Sequence, residues 1–174
     1  MNTCVETWES PIGTLHIAAT DYALCALAFD SNWQRIRATL GNFKVQSNAL
    51  TQAAINQLQA YFAGTRRCFA LPLELHGTDF QLRTWQALRE IPYGKTLSYS
   101  EQAQMIGQPQ AVRAIGHTNG LNPVSIIVPC HRVIAKSGKL AGYAGGLTAK
   151  EYLLALEANT QPRSIAPHNV RITQ

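Results

Sequence analysis

The chain has 174 residues, of which 46% are hydrophobic and 14% charged, so it can form one large or two small domains with ordinary cores. An excess of 15 Lys and Arg over 10 Asp and Glu gives a net charge of +5, which favours an anionic partner such as nucleic acid. The first residues lack the pattern of a secretory leader and no stretch approaches membrane-spanning length, so we expect neither a secreted nor a membrane protein. We expect a cytoplasmic protein whose four cysteines are reduced thiols.

The first 75 residues predict a small α/β domain in which no residue pattern indicates chemistry. Cys4 and Cys25 are interpreted as core thiols rather than metal ligands. Residues 68–75 fit either a strand or a linker. Alternation and glycine stops predict strands at 4–8, 14–19 and 24–29, a turn at 11–13, and helices at 33–40 and about 48–63.

Helical signals dominate from His76 onward. Capping boxes beginning at Thr78 and Ser98 predict helices that end near Glu90 and Gly107. Pro109 suits the first position of a third helix, which would end near residues 119–120. Two short helices joined by a tight glycine-containing turn form a helix-turn-helix.

The third predicted helix has small residues and one arginine that suit close approach to a nucleic-acid groove. An ordinary helical hairpin with a solvated arginine is the alternative. One side of the helix would present Gln110, Arg113 and His117, while Ala111, Ala114 and Ile115 would pack elsewhere.

A cysteine stands beside a histidine at the end of an apolar run. Residues 124–128 predict a short buried strand that Pro129 ends, with Cys130, His131 and Arg132 at its mouth. A thiol beside a base and a fixed cation can form a reactive thiolate. The alternative is a buried cysteine beside a surface histidine.

A glycine-rich loop at 142–146 follows, in which Tyr143 offers a flat stacking surface. A mobile surface loop is the alternative. A capping box from Thr148 to Glu151 then predicts a helix whose apolar stripe carries Glu157. A carboxylate there either lies at the helix end or is buried with a partner, for which His131 is available.

These motifs together resemble those of the O6-alkylguanine-DNA alkyltransferases, also called methylated-DNA–protein-cysteine methyltransferases. Detailed resemblance covers about residues 79–157. The remainder agrees in general layout, an α/β domain of ribonuclease-H-like topology before a mostly helical, winged-helix-like domain with a helix-turn-helix. The implied boundaries are 1–75, 76–160 and an irregular tail, 161–174. The matching motifs are residues 128–133, 113–116, 122–123, 142–146 and 150–151.

The resemblance implies transfer of an alkyl group from O6 of guanine in DNA to Cys130. His131 would accept the thiol proton through a water, and Glu157 would orient that histidine. Tyr99 would donate to the purine ring as its negative charge develops. Asn122 would brace the site through hydrogen bonds to the backbone near Cys130.

The resemblance also implies that the target base is flipped out of the duplex. Arg113 would take its place in the duplex, and the third predicted helix, the recognition helix, would lie in the minor groove. That groove gives weak sequence readout, which suits a lesion that can occur anywhere. O4-alkylthymine is expected as a second substrate. Expected groove contacts are Gln110, Ala111 and Ala114, and the base edges would meet Val128, Cys130, Tyr143 and Ala144.

The product is a stable thioether, so each molecule should react once, as a monomer, without a cofactor. Some family members hold a structural zinc, but only Cys4 matches a ligand position, and we expect no metal. Val112 replaces a common alanine on the recognition helix, which is expected to alter groove contact slightly. Ser125 near the pocket rim is a candidate determinant of adduct size.

Three other functions are alternatives for this sequence. Alkyltransferase-like proteins that only bind the lesion lack the cysteine, which is present here as Cys130. Regulatory relatives carry an additional cysteine-rich module, for which 174 residues leave no room. An unrelated Cys-His hydrolase would need an oxyanion site that no pattern indicates.

Overall fold

A computed structural model describes residues 2–160, so the predicted irregular tail at 161–174 lies outside the described residues. Its N-terminal part is a four-stranded sheet with a helix on each face. The strands are β1 (Thr3–Ser10), β2 (Gly13–Ala19), β3 (Leu24–Phe29) and β4 (Phe43–Val45), and the helices are α1 (Asp30–Arg37) and α2 (Ala49–Phe62).

The sheet has the strand order β3-β2-β1-β4, in which only β4 runs parallel to its neighbour. Side chains alternate between its faces, as the period of a strand requires. Leu15 and Ile17 face Leu58 of α2, whereas Ala18 faces Trp33 of α1. The N-terminal domain therefore consists of three layers, α1, the sheet and α2.

The structure of this domain differs from the predictions at two points and decides between two alternatives at a third. Helix α1 begins at Asp30 rather than residue 33, because the Asn32 side chain accepts from the backbone N–H of Phe29 at 2.9 Å and allows a helix directly after β3. The short edge strand β4 was not predicted. Residues 68–75 form a linker in which only Leu73 makes a bridge, to Leu24.

The second part of the chain is mostly helical, which confirms the predicted order of the two domain types. Its two short strands pair in parallel. The elements are α3 (Asp79–Arg89), β5 (Leu97–Ser98), α4 (Tyr99–Met105), α5 (Val112–Gly120), a 3₁₀ turn (Cys130–Arg132), β6 (Val133–Ile134) and α6 (Leu147–Asn159).

Two of the three predicted capping boxes are confirmed. The Thr78 hydroxyl accepts from Gln81 N at 3.1 Å and the Gln81 side chain accepts from Thr78 N at 3.0 Å. Ser98 and Glu101 make the same exchange. The third prediction was wrong: α6 begins at residue 147, after Gly146 at the N-cap with a φ of 89°, which glycine adopts readily.

The predicted strand at 124–128 is also wrong. Val124 alone forms a bridge, to Leu27, and the chain then turns through Ile126, which has a φ of 72°. The amide of Val128 closes this turn on the Val124 carbonyl at 2.9 Å. The segment is apolar because it is buried in the core, not because it is extended.

Helix α5 begins at Val112 rather than Pro109. The Ala111 amide donates to the Gln108 carbonyl at 2.9 Å, which closes a turn over residues 108–111. Gln110 and Ala111 therefore precede the helix, and Ala111 is its N-cap. Six residues, 106–111, connect α4 and α5.

One hydrophobic core joins the two parts of the chain. Tyr61 of α2 and Trp85 of α3 are buried in the same cluster, together with Val128 and Leu153 of α6. Helix α6 is thereby packed against the N-terminal domain. Between residues 2 and 160, no helix combines the length and the apolar character needed to cross a membrane.

Candidate active site

The thiol of Cys130 lies at the start of the 3₁₀ turn and is held by Asn122. The Asn122 side-chain amide donates to the Val128 carbonyl at 2.7 Å and to Cys130 Sγ at 3.2 Å. Its oxygen accepts from the amide of Val124 at 3.0 Å. One buried side chain therefore ties together the turn at 124–128 and the sulfur.

Burial raises the pKa of the Cys130 thiol, while the Asn122 hydrogen bond and the positive charge of Lys150 lower it by less. Lys150 is itself buried and donates to the carbonyls of Val133 at 2.7 Å and Ala141 at 2.9 Å. The resting thiol is therefore protonated at neutral pH. It needs a base to become a nucleophile.

The imidazole of His131 is buried against Glu157, with Nε2 and Oε2 2.7 Å apart. Burial lowers the pKa of His131, so the ring is neutral at neutral pH. An ionised carboxylate only accepts, which places the ring proton on Nε2. Nδ1 then carries the free lone pair, and it has no hydrogen-bond partner among residues 2–160.

The carboxylate of Glu157 has four further donors besides His131. Arg132 donates from Nε to Oε1 at 2.8 Å and from Nη2 to Oε2 at 3.1 Å. The Tyr61 hydroxyl donates to Oε2 at 2.6 Å, and the Gly94 amide to Oε1 at 3.2 Å. Burial alone would raise the pKa of Glu157, but His131 and Arg132 hold it well below its usual range.

Two members of this cluster were missing from the predicted site. The sequence indicated Arg132 only as a cation next to Cys130 and His131, without a contact to Glu157. Tyr61 lies on the apolar stripe of α2, and nothing in its local sequence indicates a polar role. Its hydroxyl reaches Glu157 because α2 and α6 pack together, which is a long-range contact.

A cavity of about 530 Å³ opens beside Cys130, a volume typical of small-molecule sites. Six of the predicted site residues line it: Tyr99, Arg113, Asn122, Cys130, Tyr143 and Ala144. Val112 and Ser125 line it as well. The other predicted residues do not line it: Gln110, Ala111, Ala114, Val128, His131 and Glu157.

The hydroxyl of Tyr99 remains a proton donor at neutral pH. Tyr99 is the first residue of α4 and is half-buried at the cavity. Burial raises the pKa of its phenol, and the nearby Cys130 raises it further. The group can therefore donate a hydrogen bond to a ligand in the cavity.

One face of helix α5 is fixed by hydrogen bonds to α3 and α4, and the other face is exposed to solvent. The Trp85 indole donates to the Thr118 carbonyl at 2.9 Å, and the amides of Gln102 and Asn119 hydrogen bond reciprocally at 2.9 and 2.8 Å. Arg113 and Ala114 are exposed. The expectation that Ala114 packs on the same side as Ile115 was wrong, because Ile115 is buried and Ala114 is exposed.

The glycine-rich loop at 142–146 packs against the N-terminal domain. The Tyr143 ring meets Phe29 edge-on, with centroids 5.5 Å apart, and the Ser31 hydroxyl donates to the Ala144 carbonyl. A Cβ on Gly145 would lie only 2.8 Å from the Phe29 ring. The glycine thus allows a close approach that fixes the cavity wall.

The residues around Cys4 do not fit a zinc site. Its sulfur lies 3.5 Å from the side-chain nitrogen of Gln46. Within residues 2–160, no three His, Cys, Asp or Glu side chains are grouped to hold a metal ion. Cys25 is partly buried against the core rather than inside it, and burial together with Glu74 raises the pKa of its thiol to about 11. Cys4, Cys25 and Cys130 are free thiols.

Comparison with known proteins follows the same two-part division. Residues 79–159 match the family described as "6-O-methylguanine DNA methyltransferase, DNA binding domain". Residues 4–75 match "6-O-methylguanine DNA methyltransferase, ribonuclease-like domain". Together these two matches cover most of the chain.

Curated relatives carry the corresponding name. The methylated-DNA–protein-cysteine methyltransferase of Mycolicibacterium paratuberculosis is 47% identical over 91% of this chain and 94% of its own length. The protein of the same name from Methanosarcina barkeri is 47% identical over 87% of this chain and 94% of its own.

Solved structures agree in fold. The crystal structure of Mycobacterium tuberculosis OGT in complex with DNA has a TM-score of 0.84 and 46% identity, covering 92% of this chain and 96% of that one. Since matched domains and full-length relatives agree, this chain belongs to the family of methylated-DNA–protein-cysteine methyltransferases, also named 6-O-methylguanine DNA methyltransferases.

Proposed function

We propose that this methyltransferase repairs duplex DNA by moving the alkyl group from O6 of guanine to its own Cys130. The observation that carries the proposal is the position of Cys130 Sγ. It is held by Asn122 at the wall of a cavity that is also lined by Arg113 of the exposed helix α5. The nucleophile Cys130 and the exposed helix α5 thus both border the cavity that would receive the base.

The reaction begins with the loss of the thiol proton. His131 accepts it, through a water, and Glu157 stabilises the imidazolium that forms. Sγ then attacks the alkyl carbon, the carbon–O6 bond breaks, and its electron pair remains on guanine. Tyr99 donates a hydrogen bond to the purine as this charge develops. The guanine anion then takes up a proton, which balances the proton that His131 removed from the thiol. The products are a thioether on Cys130 and unmodified guanine.

The alkylated base enters the cavity by flipping out of the helix. Arg113 is exposed on α5 and also lines the cavity, so it can fill the space that the base leaves. Gln110 and Ala111 precede α5 and Ala114 lies in its first turn, where they would meet the minor groove in a helix-turn-helix docking. The net charge of +5 assists binding to the phosphates.

The backbone around the cavity would read the base edges. The carbonyls of Val128 and Cys130 and the amides near Tyr143 and Ala144 are the groups that we assign to this role. O4-alkylthymine carries its alkyl group on an exocyclic ring oxygen, as O6-alkylguanine does, so we propose it as a second substrate. The site is complete within one chain, which supports action as a monomer.

The test is intact mass spectrometry after incubation with a duplex that contains O6-methylguanine. We expect a gain of one methyl group, located on Cys130, and no second addition when more substrate is supplied. Cys130→Ala should bind the duplex and gain nothing. An unchanged mass in the wild-type protein would contradict the proposal, and a duplex with O4-methylthymine tests the second substrate in the same way.

A further inference from the structure

The hydroxyl of Tyr61 donates a 2.6 Å hydrogen bond to Oε2 of Glu157. The two residues come from different parts of the chain, α2 of the N-terminal domain and α6 of the helical domain. Neither side chain is accessible to solvent beyond 1%. The N-terminal domain thus reaches the carboxylate that contacts His131.

The ring of Tyr61 is fixed by its aromatic neighbours. Its centroid lies 5.3 Å from that of Phe62, 5.4 Å from that of Phe69 and 6.2 Å from that of Tyr93. Such packing restricts the ring to one orientation. Burial raises the pKa of the Tyr61 phenol, as does the neighbouring Glu157, so the hydroxyl stays protonated and can only serve that carboxylate as a donor.

The same oxygen, Oε2, accepts from both Tyr61 at 2.6 Å and His131 Nε2 at 2.7 Å. Arg132 Nη2 reaches it at 3.1 Å. A carboxylate group can rotate about its terminal bond unless its oxygens are held from several directions. Tyr61 approaches from α2, a direction from which neither of the other two donors comes.

We propose that Tyr61 is a positioning residue for alkyl transfer, which holds Oε2 of Glu157 where it orients the His131 ring. This inference rests on the proposed function, in which His131 takes the thiol proton. With Oε2 fixed, the Nε2–H bond directs Nδ1 away from Glu157. Tyr61 touches neither the DNA nor the thiol and acts only through Glu157.

The consequence is that the N-terminal domain contributes to the reaction itself. Tyr61→Phe removes one oxygen and keeps the aromatic packing. We expect the single-turnover rate at saturating DNA to fall about tenfold, as for the loss of one hydrogen bond to a charged group. Affinity for DNA should not change, because α5 and Arg113 are untouched.

The matched control is Tyr93→Phe. Tyr93 is buried beside Tyr61, and its hydroxyl hydrogen bonds to Thr160. We expect this variant to transfer at the wild-type rate. The loss in Tyr61→Phe should be equal with duplex and with a free alkylated base, O6-benzylguanine, because the defect lies in proton transfer.

Single-turnover assays with methyl-labelled duplex, with DNA affinity measured in parallel, distinguish the outcomes. An active wild-type protein with an equally active Tyr61→Phe variant would overturn this inference alone. So would an equal loss in Tyr93→Phe, or a loss confined to DNA affinity. A wild-type protein that transfers nothing would instead contradict the proposed function.

Discussion

The side-chain amide nitrogen of Asn122 hydrogen bonds both the Val128 carbonyl and the sulfur of Cys130, at 2.7 and 3.2 Å. The same side chain accepts from the amide of Val124 at 3.0 Å. It therefore supports a buried turn and a nucleophile at once. Stability and thiol chemistry should change together when it is removed.

Asn122→Ala should lower the free energy of unfolding by about 3 kcal/mol, because it leaves a buried amide and a buried carbonyl unpaired. It should also raise the pKa of Cys130 further, since a donor to the thiolate is lost. Denaturant unfolding and the rate of Cys130 alkylation by iodoacetamide at fixed pH measure the two effects. Wild-type values in both would refute this role of Asn122.

Glu157→Gln should destabilise the protein by about 3–5 kcal/mol, since it leaves the buried Arg132 cation without a counter-charge. Glu151 provides the control, because it is exposed on the same helix and Glu151→Gln should unfold like the wild type. Urea titration of both variants tests the difference. Equal midpoints would show that the ion pair contributes no net stability.

Stability should fall as the pH decreases from 7 toward 4. Burial holds the pKa of His131 below its unfolded value of about 6.5, so below that pH the unfolded chain binds the proton first. The pKa of Glu157 is also lowered, and its contribution is present above its unfolded pKa of about 4.3 and is lost as the pH falls below it.

Thermal unfolding across this pH range is the measurement. His76→Gln serves as the control, because His76 is exposed and its variant should follow the wild-type curve. A midpoint temperature that did not change between pH 7 and 5 would contradict a buried, neutral His131.

Gly145→Ala should slow alkyl transfer, because the new Cβ would lie 2.8 Å from the Phe29 ring and displace the loop that carries Tyr143. Phe29→Leu in the same protein removes the ring and should restore part of the rate. Single-turnover rates of the two single variants and the double variant form a cycle. Additive losses would mean that the two residues are not coupled.

Arg113→Ala should impair transfer from duplex DNA by at least about tenfold and leave transfer from free O6-benzylguanine nearly unchanged, because only the duplex requires a flipped base. Lys44→Ala removes an exposed charge from the N-terminal sheet and should leave both rates unaltered. The ratio of the two rates is the measurement. An equal loss on both substrates would exclude a role for Arg113 in flipping.

Local patterns in the sequence were sufficient to predict most of the helices and strands. The capping boxes at Thr78 and Ser98 were read correctly, since their hydrogen bonds join residues three apart. The motif around Cys130 and Asn122 pointed to the family for the same reason: its residues are close in the chain. Short-range chemistry can be recognised without knowledge of the fold.

Two predictions failed because a local sequence pattern did not determine the path of the backbone. Residues 124–128 are as buried as a core strand, yet the backbone turns through Ile126, which has a positive φ. Pro109 suits a helix start, but the turn closed by Ala111 on Gln108 delays the helix. Hydrophobic periodicity reports burial, and the backbone path depends on what surrounds the segment.

The environment of Glu157 shows what local sequence does not encode. His131 was anticipated as its partner, but Tyr61 and Gly94 lie far away in the chain. Tyr61 reaches it through the packing of α2 and α6, and Gly94 reaches it from the segment between α3 and β5. The pKa of the carboxyl is set by the balance between its burial, which raises it, and His131 and Arg132, which lower it. The nucleophile is readable from adjacent residues, whereas the electrostatics that prepare its base depend on side chains that only folding brings together.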